Sequence, residues 1–205
     1  MSNPKCKQCR REGEKLFLKG ELCYTPKCPM VRKKYAPGMH GQKGSRLTEY
    51  GEQLRGKQKA KKIYGIREKQ FRNYFKKAER KSKATASTFY ELVERRFDNI
   101  VYRLGFAKSR DQAKKFISHE HFLVNNKKVN ISSYQIKPRD TIRIRKKSKD
   151  KQVFQEILAQ KGSQNIPNWL SFDKKKVEGV MIAVPSKQEQ ETQIDWAKIC
   201  EFYSR

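Results

Sequence analysis

Three stretches of the chain place apolar residues at the spacing of an amphipathic helix. In each stretch the apolar positions follow i, i+3, i+4 and i+7, which puts them on one face of a helix. The three sets are Phe71, Tyr74, Phe75 and Ala78; Phe97, Ile100, Val101 and Leu104; and Trp196, Ile199, Cys200 and Tyr203. The pattern predicts three helices with buried faces, and it makes Cys200 a core residue rather than a reactive thiol.

Three polar signals predict where helices begin. Thr48 is a suitable N-cap for the polar stretch that follows it. Thr88-x-x-Glu91 and Ser109-x-x-Gln112 both have the spacing of a capping box, in which two side chains satisfy backbone N–H groups of the first turn. We therefore expect helices to start at each of these positions.

Other segments have the pattern of β-strands. In residues 141–145, Ile142 and Ile144 alternate with Arg143 and Arg145, so one face is apolar and the other is cationic. Strands are also predicted at residues 122–124, 169–172 and 180–184, and Asn125-Asn126 predicts a tight turn after the first of them. Helices that alternate with a hairpin and added strands indicate an α+β fold, with two helices packed on an antiparallel sheet.

Positive charge dominates the composition and narrows the choice of partner. Lys and Arg number 49 against 21 acidic residues, for a net charge of +28. Residues 1–83 hold 25 basic and 7 acidic residues, whereas residues 151–205 hold 8 and 7. Solubility needs a net charge of only about 2–8 on a small domain. A surplus this large predicts a polyanionic partner, of which nucleic acid is the commonest.

Four cysteines in the first 28 residues are the strongest candidate for metal chemistry. They follow the pattern Cys6-x2-Cys9-x13-Cys23-x4-Cys28. The chain has no long apolar run and no secretory signal, so we expect an intracellular protein with reduced thiols and no membrane span. Two close cysteine pairs then predict a structural four-cysteine knuckle that binds Zn2+, with an iron–sulfur cluster as the alternative.

Enzyme and DNA-binding functions are the alternatives to a structural RNA-binding protein. An RNA-modifying enzyme needs a catalytic domain of about 150–200 residues, and neither end of the chain provides one. Asp98, Asp111 and Asp140 are expected at helix surfaces, first turns or turns rather than in catalysis. A zinc-dependent DNA-binding factor would present one recognition helix and a symmetric dimer. Cations spread over about 150 residues instead favour a large folded RNA.

A series of short sequence blocks is distinctive. The longest is Phe97-Asp98-Asn99-Ile100-Val101-Tyr102-Arg103-Leu104-Gly105-Phe106-Ala107. Further blocks lie at residues 9–16, 37–41, 49–51, 54–55, 57–59, 64–65, 70–71, 109–110, 124–125, 133–134 and 201–205, with single positions at Ala113, His119 and Val129. In this order, over nearly the whole chain, the blocks resemble those of the small-subunit ribosomal protein uS4 family of bacteria.

The resemblance implies a structural protein of the cytoplasmic ribosome. Members of this family bind the five-prime domain of small-subunit ribosomal RNA early and help to nucleate assembly. They lie where mRNA enters the small subunit, contact the neighbouring protein S5 and influence decoding accuracy. The resemblance implies no catalysis, no membrane contact and no homo-oligomer. Many members carry the cysteine knuckle and others have lost it.

The resemblance also implies a division into three parts. We expect the metal knuckle and an extended basic arm in residues 1–45, a helical domain in residues 46–93 completed by residues 186–205, and an RNA-binding module in residues 94–185 with its core in 94–150. A linker is expected at residues 185–192. Family members usually have glycine where Glu120 and Asn126 stand. If φ is positive there, Glu120 costs of order 1 kcal/mol and Asn126 less.

Candidate RNA contacts are cations of the knuckle, the arm, the helices and the module. Phosphates and RNA shape rather than base edges are expected to dominate such contacts. The predicted contact residues are Lys5, Lys7, Arg10, Arg11, Lys33, Lys34, His40, Lys57, Lys59, Lys61, Lys62, Arg67, Arg72, Arg110, Lys114, Lys115, His119, Lys127 and Lys128.

Overall fold

A computed structural model of the protein describes residues 4–43, 46–81, 84–159, 166–173, 176–186 and 194–205. The chain forms two compact units: the first comprises residues 1–86 and 192–205, and the second comprises residues 87–191. Helices and an antiparallel sheet are both present, so the predicted α+β class is confirmed. Within the described ranges, no helix is both long and apolar enough to cross a membrane.

The first unit begins with short elements that bury few apolar side chains. Helix α1 spans Lys5–Glu12, a 3-10 turn spans Gly20–Cys23, and helix α2 spans Pro29–Arg32. The buried apolar residues of this segment are Cys9, Leu16, Cys23, Cys28 and Met30. Three of these five are cysteines, so the segment has little hydrocarbon with which to stabilise itself.

Three longer helices form the rest of the first unit. Helix α3 spans Glu49–Tyr64, helix α4 spans Glu68–Lys81 and helix α10 spans Trp196–Ser204. The side chain of Thr48 accepts a hydrogen bond of 3.2 Å from the backbone N–H of Gly51, which confirms the predicted N-cap.

Aromatic contacts hold these three helices together. As predicted, Phe71, Tyr74, Phe75 and Ala78 on α4 are buried, so they are core residues. On α10, the ring of Trp196 lies 6.4 Å from Phe71 and the ring of Tyr203 lies 5.1 Å from Phe75, measured between centroids. The last helix of the chain therefore packs on helices that precede it by more than 100 residues.

The second unit contains five helices among its described residues, the first of which begins two residues before the unit boundary. They are α5 (Thr85–Glu94), α6 (Phe97–Arg103), α7 (Arg110–Ser118), α8 (Lys146–Lys149) and α9 (Gln152–Ala159). The predicted start of α5 at Thr88 is wrong, because no Gly or Pro stops the helix from extending back to Thr85. At α7 the prediction is confirmed: the Ser109 hydroxyl accepts from the N–H of Gln112 at 3.3 Å.

A five-stranded antiparallel sheet completes the second unit. Its strands are β1 (Phe122–Val124), β2 (Lys127–Lys128), β3 (Thr141–Ile144), β4 (Leu170–Asp173) and β5 (Glu178–Met181), in the order β2-β1-β3-β5-β4. Ile142 and Ile144 are buried and Arg143 is exposed, as the alternation predicts. The core lies between this sheet and the helices, and its fully buried members include Ile100, Leu104, Phe106, Phe122 and Met181.

Two turns of the second unit hold residues with side chains in the left-handed region. Glu120 has φ 55° and Asn126 has φ 65°, so both positions have the positive φ considered above. Asn125 also has φ 49°, and Val124 pairs with Lys127, which makes Asn125-Asn126 the predicted two-residue hairpin turn. The chain thus bears backbone strain at Glu120 that a glycine would not have.

Several boundaries differ from the sequence predictions. Residues 182–184 continue the apolar pattern but lie outside β5, and Cys200 is half-buried rather than buried. Helix α9, which buries Phe154 and Ile157, was not predicted. Residues 187–192 of the predicted linker and residues 44 and 45 of the predicted arm lie outside the described residues.

Candidate nucleic-acid interface

The four N-terminal cysteines line one small pocket. Cys9, Cys23 and Cys28 are buried and Cys6 is half-buried, and all four are free thiols. Each comes from a different place: Cys6 and Cys9 from successive turns of α1, Cys23 from the 3-10 turn and Cys28 from the start of α2. The backbone N–H of Lys19 donates to the Cys23 sulfur at 3.4 Å. The fold therefore brings together the two cysteine pairs that the sequence spacing indicates.

The cysteine pocket has the chemistry of a metal site without its finished geometry. Burial raises the pKa of the Cys9 thiol, a hydrogen bond with the backbone of Leu16 lowers it, and the neighbouring charges of Cys23, Cys6 and Cys28 raise it further. Four thiols are the donor set that Zn2+ takes in structural sites. In the part of the chain that the structure describes, no group of three or more His, Cys, Asp or Glu side chains is already arranged to hold a metal ion.

Arg10 ties the predicted arm to helix α1. Its Nε donates to the carbonyl oxygen of Tyr35 at 3.0 Å and its Nη2 to that of Ala36 at 3.4 Å. Its guanidinium also lies 5.0 Å from the centroid of the Tyr35 ring. Arg10, a predicted RNA contact, thus makes intramolecular contacts that fix the start of the loop.

The other predicted contacts near the knuckle are more open. Lys5 donates from Nζ to the carbonyl oxygen of Leu18 at 3.3 Å and is half-buried. The remaining predicted cations of this region are exposed: Lys7, Arg11, Lys33, Lys34 and His40.

A cleft of about 680 Å3 opens next to the arm, within the first unit. It lies where the end of α1, the loop at residues 36–43 and helix α3 meet. The polar and apolar side chains that define it are Arg11, Glu12, His40, Lys43, Leu47 and Arg55. Lys43 and Arg55 were not among the predicted contacts, because nothing in their local sequence distinguishes them from the many other cations.

Glu12 is the carboxylate at the base of this cleft. Its side chain is 4% exposed. The carboxylate accepts hydrogen bonds from Nε and Nη2 of Arg55 and from Nζ of Lys62. Arg55 bonds bidentately, through Nε and Nη2. One buried carboxylate therefore holds two cations that come from one face of α3.

On the middle of α3, the predicted cations are used to pack α10 and α4. Lys57 is 6% exposed; its ammonium lies 4.2 Å from the centroid of the Phe202 ring and 3.3 Å from Glu68 Oε1. Lys61 lies 2.6 Å from Glu68 Oε2, and Tyr203 donates its hydroxyl to Oε1 at 2.6 Å.

Glu68, on α4, is thus held as an anion by groups from two other helices, α3 and α10. Burial alone would raise its pKa, but hydrogen bonds from Lys61 and Tyr203, together with the charges of Lys57 and Lys61, lower the pKa of Glu68 to about 2. The same hydrogen bond and the charge of Glu68, added to burial, raise the pKa of the Tyr203 phenol. Elsewhere on these helices, Lys59 pairs with Glu14 at 2.7 Å, while Arg67 and Arg72 are exposed.

In the second unit, a buried ionic network lies beneath the cationic face of α7. Glu94 is fully buried and accepts a bidentate pair from Arg103, with distances of 2.8 and 3.1 Å. Asn99 donates to Glu94 Oε2 at 2.7 Å, and Arg96 pairs bidentately with Asp98 at 2.9 and 3.1 Å. Asp98 lies in the first turn of α6, one of the expected positions, but it is 1% exposed and held by Arg96.

The buried network also fixes two predicted contacts on α7. Arg110 donates from Nε to Asn99 Oδ1 at 2.9 Å and lies 4.5 Å from the Tyr102 ring. The ammonium of Lys114 lies 3.7 Å from Asp98 Oδ2. Burial lowers the pKa of Lys114, an effect that the charge of Asp98 partly opposes.

The rest of the predicted module contacts are exposed: Lys115, His119, Lys127 and Lys128. The predicted contacts therefore fall into two groups. One group forms ion pairs and hydrogen bonds within the fold, and the other presents charge to solvent. The role of Asp98, Asn99 and Glu94 in holding these cations was not predicted. Buried polar partners of surface cations leave no periodic signal in the sequence.

Two family profiles match consecutive parts of the chain. A profile described as the ribosomal protein S4/S9 N-terminal domain matches residues 1–94, and one described as the S4 domain matches residues 95–142. Curated relatives match over nearly their whole length. The small ribosomal subunit protein uS4 of Heliobacterium modesticaldum is 48% identical over 204 residues, which cover 100% of this chain and 98% of the relative.

Relatives from other bacteria are equally similar. The protein of the same name from Desulforamulus reducens is 48% identical over 204 residues, with 100% of this chain and 98% of the relative covered. The one from Syntrophomonas wolfei is 49% identical over 201 residues, with 98% of this chain and 96% of the relative covered.

Proposed function

Because the chain belongs to the ribosomal protein uS4 family, we propose that it binds small-subunit ribosomal RNA directly through cations on both of its units. Members of this family are structural, non-catalytic components of the small ribosomal subunit in the cytoplasm, so the protein is not an enzyme. The observation that carries the proposal is the match over the full chain at 48% identity, since nearly all of each relative is covered.

The finer part of the proposal concerns the site on the ribosome. We propose the five-prime domain of the RNA as the primary target, bound early so that it nucleates assembly. The neighbouring protein S5 and the mRNA where it enters the subunit are the proposed further partners, which would connect the protein to decoding accuracy. No homo-oligomer is part of this proposal.

The division of the chain into three parts is also proposed. It assigns residues 1–45 to the knuckle and arm, residues 46–93 with 186–205 to the helical domain, and residues 94–185 to the RNA-binding module. The packing of α10 on α4 through Trp196 and Tyr203 supports the discontinuous helical domain. The pairing of β3 with β5 supports the added strands of the module.

Binding to competing nucleic acids tests the RNA proposal. The affinity of the protein for the five-prime domain RNA is measured against tRNA and duplex DNA across a salt series. We expect selective binding that persists at physiological salt, because shape and many phosphates are read together. Equal binding to all three that salt abolishes would mean that only net charge is recognised, and it would overturn the proposal.

Among the exposed cations of the second unit, those in the predicted set are proposed to carry most of the contact energy. Lys115→Glu should weaken RNA binding and reduce the salt slope by about 0.7–0.9 per lost phosphate contact. Lys146→Glu, on the exposed surface of α8 and outside the predicted set, is the matched control. Equal losses in the two variants would remove Lys115 from the footprint.

We further propose that Cys6, Cys9, Cys23 and Cys28 bind one Zn2+ as a structural knuckle. Support comes from their lining of a single pocket in a segment that buries few apolar residues. The cysteine side chains have to adjust as the ion binds, since no set of ligands among the described residues is already arranged around a metal position. The alternative occupant of the same thiols is an iron–sulfur cluster.

Metal analysis and hydrogen exchange test the knuckle. We expect one zinc per chain, lost in the Cys9→Ser/Cys28→Ser double variant, with faster amide exchange confined to about the first 30 residues. Cys200→Ser is the matched control and should keep the metal. Iron with inorganic sulfide would establish the alternative, and a wild-type protein purified with zinc present that holds no metal would contradict both.

A further inference from the structure

We propose that the cleft of the first unit, between α1, the loop at residues 36–43 and α3, binds a single unstacked nucleotide of the RNA. The proposal rests on the RNA-binding function proposed above and identifies a site for it. The occupant is a nucleotide whose phosphate contacts Arg11, Lys43 and Arg55 and whose base lies against the apolar rim.

The cations of the cleft converge from separate parts of the chain. Arg11 lies at the end of α1, Lys43 in the loop and Arg55 on α3, and all three line the same cavity. Arg11 and Lys43 are exposed, so their charges remain available to a ligand. The cleft is lined by three cations, the imidazole of His40 and one carboxylate, Glu12. Its net charge is therefore positive.

Glu12 acts as a positioning residue for Arg55. A guanidinium has five N–H donors, and the bidentate bond to Glu12 uses one on Nε and one on Nη2. The other three donors of Arg55 have no partner among the described residues. Because the fork is held rigidly by a carboxylate that is 4% exposed, those donors are oriented before any ligand arrives.

The loop is also held by contacts within the fold. Arg10 binds the carbonyl oxygens of Tyr35 and Ala36 and so anchors the start of the loop. The backbone N–H of Gly41 donates to the Gly38 carbonyl oxygen at 3.2 Å. A Cβ at position 41 would lie 1.8 Å from the Ala36 carbonyl oxygen, so this tight turn admits only glycine.

The size and rim of the cleft favour a whole nucleotide over a phosphate group alone. A volume of about 680 Å3 is within the range of pockets that enclose organic ligands. Met39 is 91% exposed and Leu47 is 49% exposed, and both border the cleft. Unstacked bases in RNA are commonly held against apolar side chains and the planes of arginine. A base-paired helix presents its phosphates without filling such a cavity.

Charge-neutral variants compared with a control of equal charge test this site. We would measure affinity for the five-prime domain RNA and the 2′-hydroxyl reactivity of each nucleotide, using Arg11→Gln, Arg55→Gln and the control Lys76→Gln, an exposed cation on α4 outside the cleft. Each cleft variant should bind about tenfold more weakly than the control. One unpaired nucleotide, or two adjacent ones, should be protected by the wild type and by the control but not by the cleft variants.

Glu12→Gln separates positioning from charge. Loss of a negative charge alone would strengthen RNA binding, whereas loss of the anchor for Arg55 should weaken it and remove the same local protection. Thermal unfolding establishes that each variant is folded; if Glu12→Gln does not fold, the two arginine variants still decide. The cleft proposal alone would be overturned if the protein selects the RNA but the cleft and control variants bind it equally well. It would also be overturned if the cleft variants bind more weakly without a local change in nucleotide reactivity. A wild-type protein that fails to select the RNA would overturn both proposals.

Discussion

The two units pair the same kinds of side chain in different surroundings. In the first unit, Glu68 joins Lys57 and Lys61 at the edge of the helices, and its side chain is 44% exposed. In the second unit, Glu94 joins Arg103 and Asn99 with no exposure at all. Water screens the charge of Glu68, whereas Glu94 is not accessible to water. The comparison teaches that an ionic contact contributes little at the exposed rim around Glu68 and is an obligatory part of the interior around Glu94.

The largest effect is expected from breaking the buried pair. Glu94→Ala removes the carboxylate that accepts from the guanidinium of Arg103 and from one N–H of the Asn99 amide, whose other bond, to the Glu94 carbonyl oxygen, remains. Loss of this buried charge partner should lower the free energy of unfolding of the second unit by about 3–5 kcal/mol. The two tryptophans, Trp169 and Trp196, lie in different units. Urea unfolding followed by fluorescence in a Trp196→Phe background therefore reports the second unit through Trp169.

A double variant provides the control for this loss. Glu94→Leu/Arg103→Met removes both charges, and apolar side chains of similar size should recover most of the stability. If Glu94→Ala costs less than about 1 kcal/mol, which is the typical value of a surface pair, the contrast between the two units fails.

A smaller effect is expected where the two units differ in their turns. The first unit places Gly65 at φ 59° after α3, whereas the second places Glu120 at φ 55° after α7. Glu120→Gly should raise the free energy of unfolding by about 1 kcal/mol, because the Cβ clash of the left-handed region disappears. Asn126→Gly should gain less, since Asn tolerates this region better than Glu. Urea unfolding monitored through Trp169 measures both.

The reverse substitution in the first unit is the matched control. Gly65→Ala introduces a Cβ at a positive φ and should lower the free energy of unfolding by about 1 kcal/mol. An unchanged stability of Glu120→Gly, alongside a destabilised Gly65→Ala, would mean that contacts of Glu120 compensate for its backbone strain.

Local signals predicted most of the elements, because each of them depends on neighbours in sequence. The N-caps at Thr48 and Ser109 and the alternation around Arg143 are satisfied within a few residues. Helix α9 carries Phe154, Ile157 and Leu158 at helical spacing, so its pattern was available but short. The start of α5 could not be fixed from Thr88, since a capping box is equally compatible with a position inside a helix.

The fate of individual cations could not be predicted from the sequence. Lys57 belongs to a basic run on α3, yet it is buried because Phe202 and Tyr203 arrive from a helix almost 150 residues later. Arg55 and Lys43 line the cleft through a meeting of three distant segments. Charge content established the class of partner, but tertiary contacts decide which cations remain for it.

The smallest effect is expected at the rim pair, and it is a dependence on pH. The pKa of Glu68 is lowered in the folded state to about 2 from an ordinary value of 4.5. Its charged form is therefore favoured by folding, and this contribution to stability is complete above about pH 4.5 and is lost as the pH falls through about 2. Glu68→Gln should make the stability of the first unit less sensitive to acid within this window.

Fluorescence of Trp196 in a Trp169→Phe background follows the first unit during this titration. Glu79→Gln is the matched control, because it removes an exposed carboxylate from the same helix that has no ion pair among the described residues. The control should keep the acid dependence of the wild type. Since Glu68 is 44% exposed, water screens its pairs, and the change should be smaller than that produced by Glu94→Ala at neutral pH. If Glu68→Gln and Glu79→Gln show the same dependence of stability on pH, Lys57 and Lys61 stabilise the fold by packing rather than by charge. The contacts of Glu68 would then differ from those of Glu94 in kind as well as in strength.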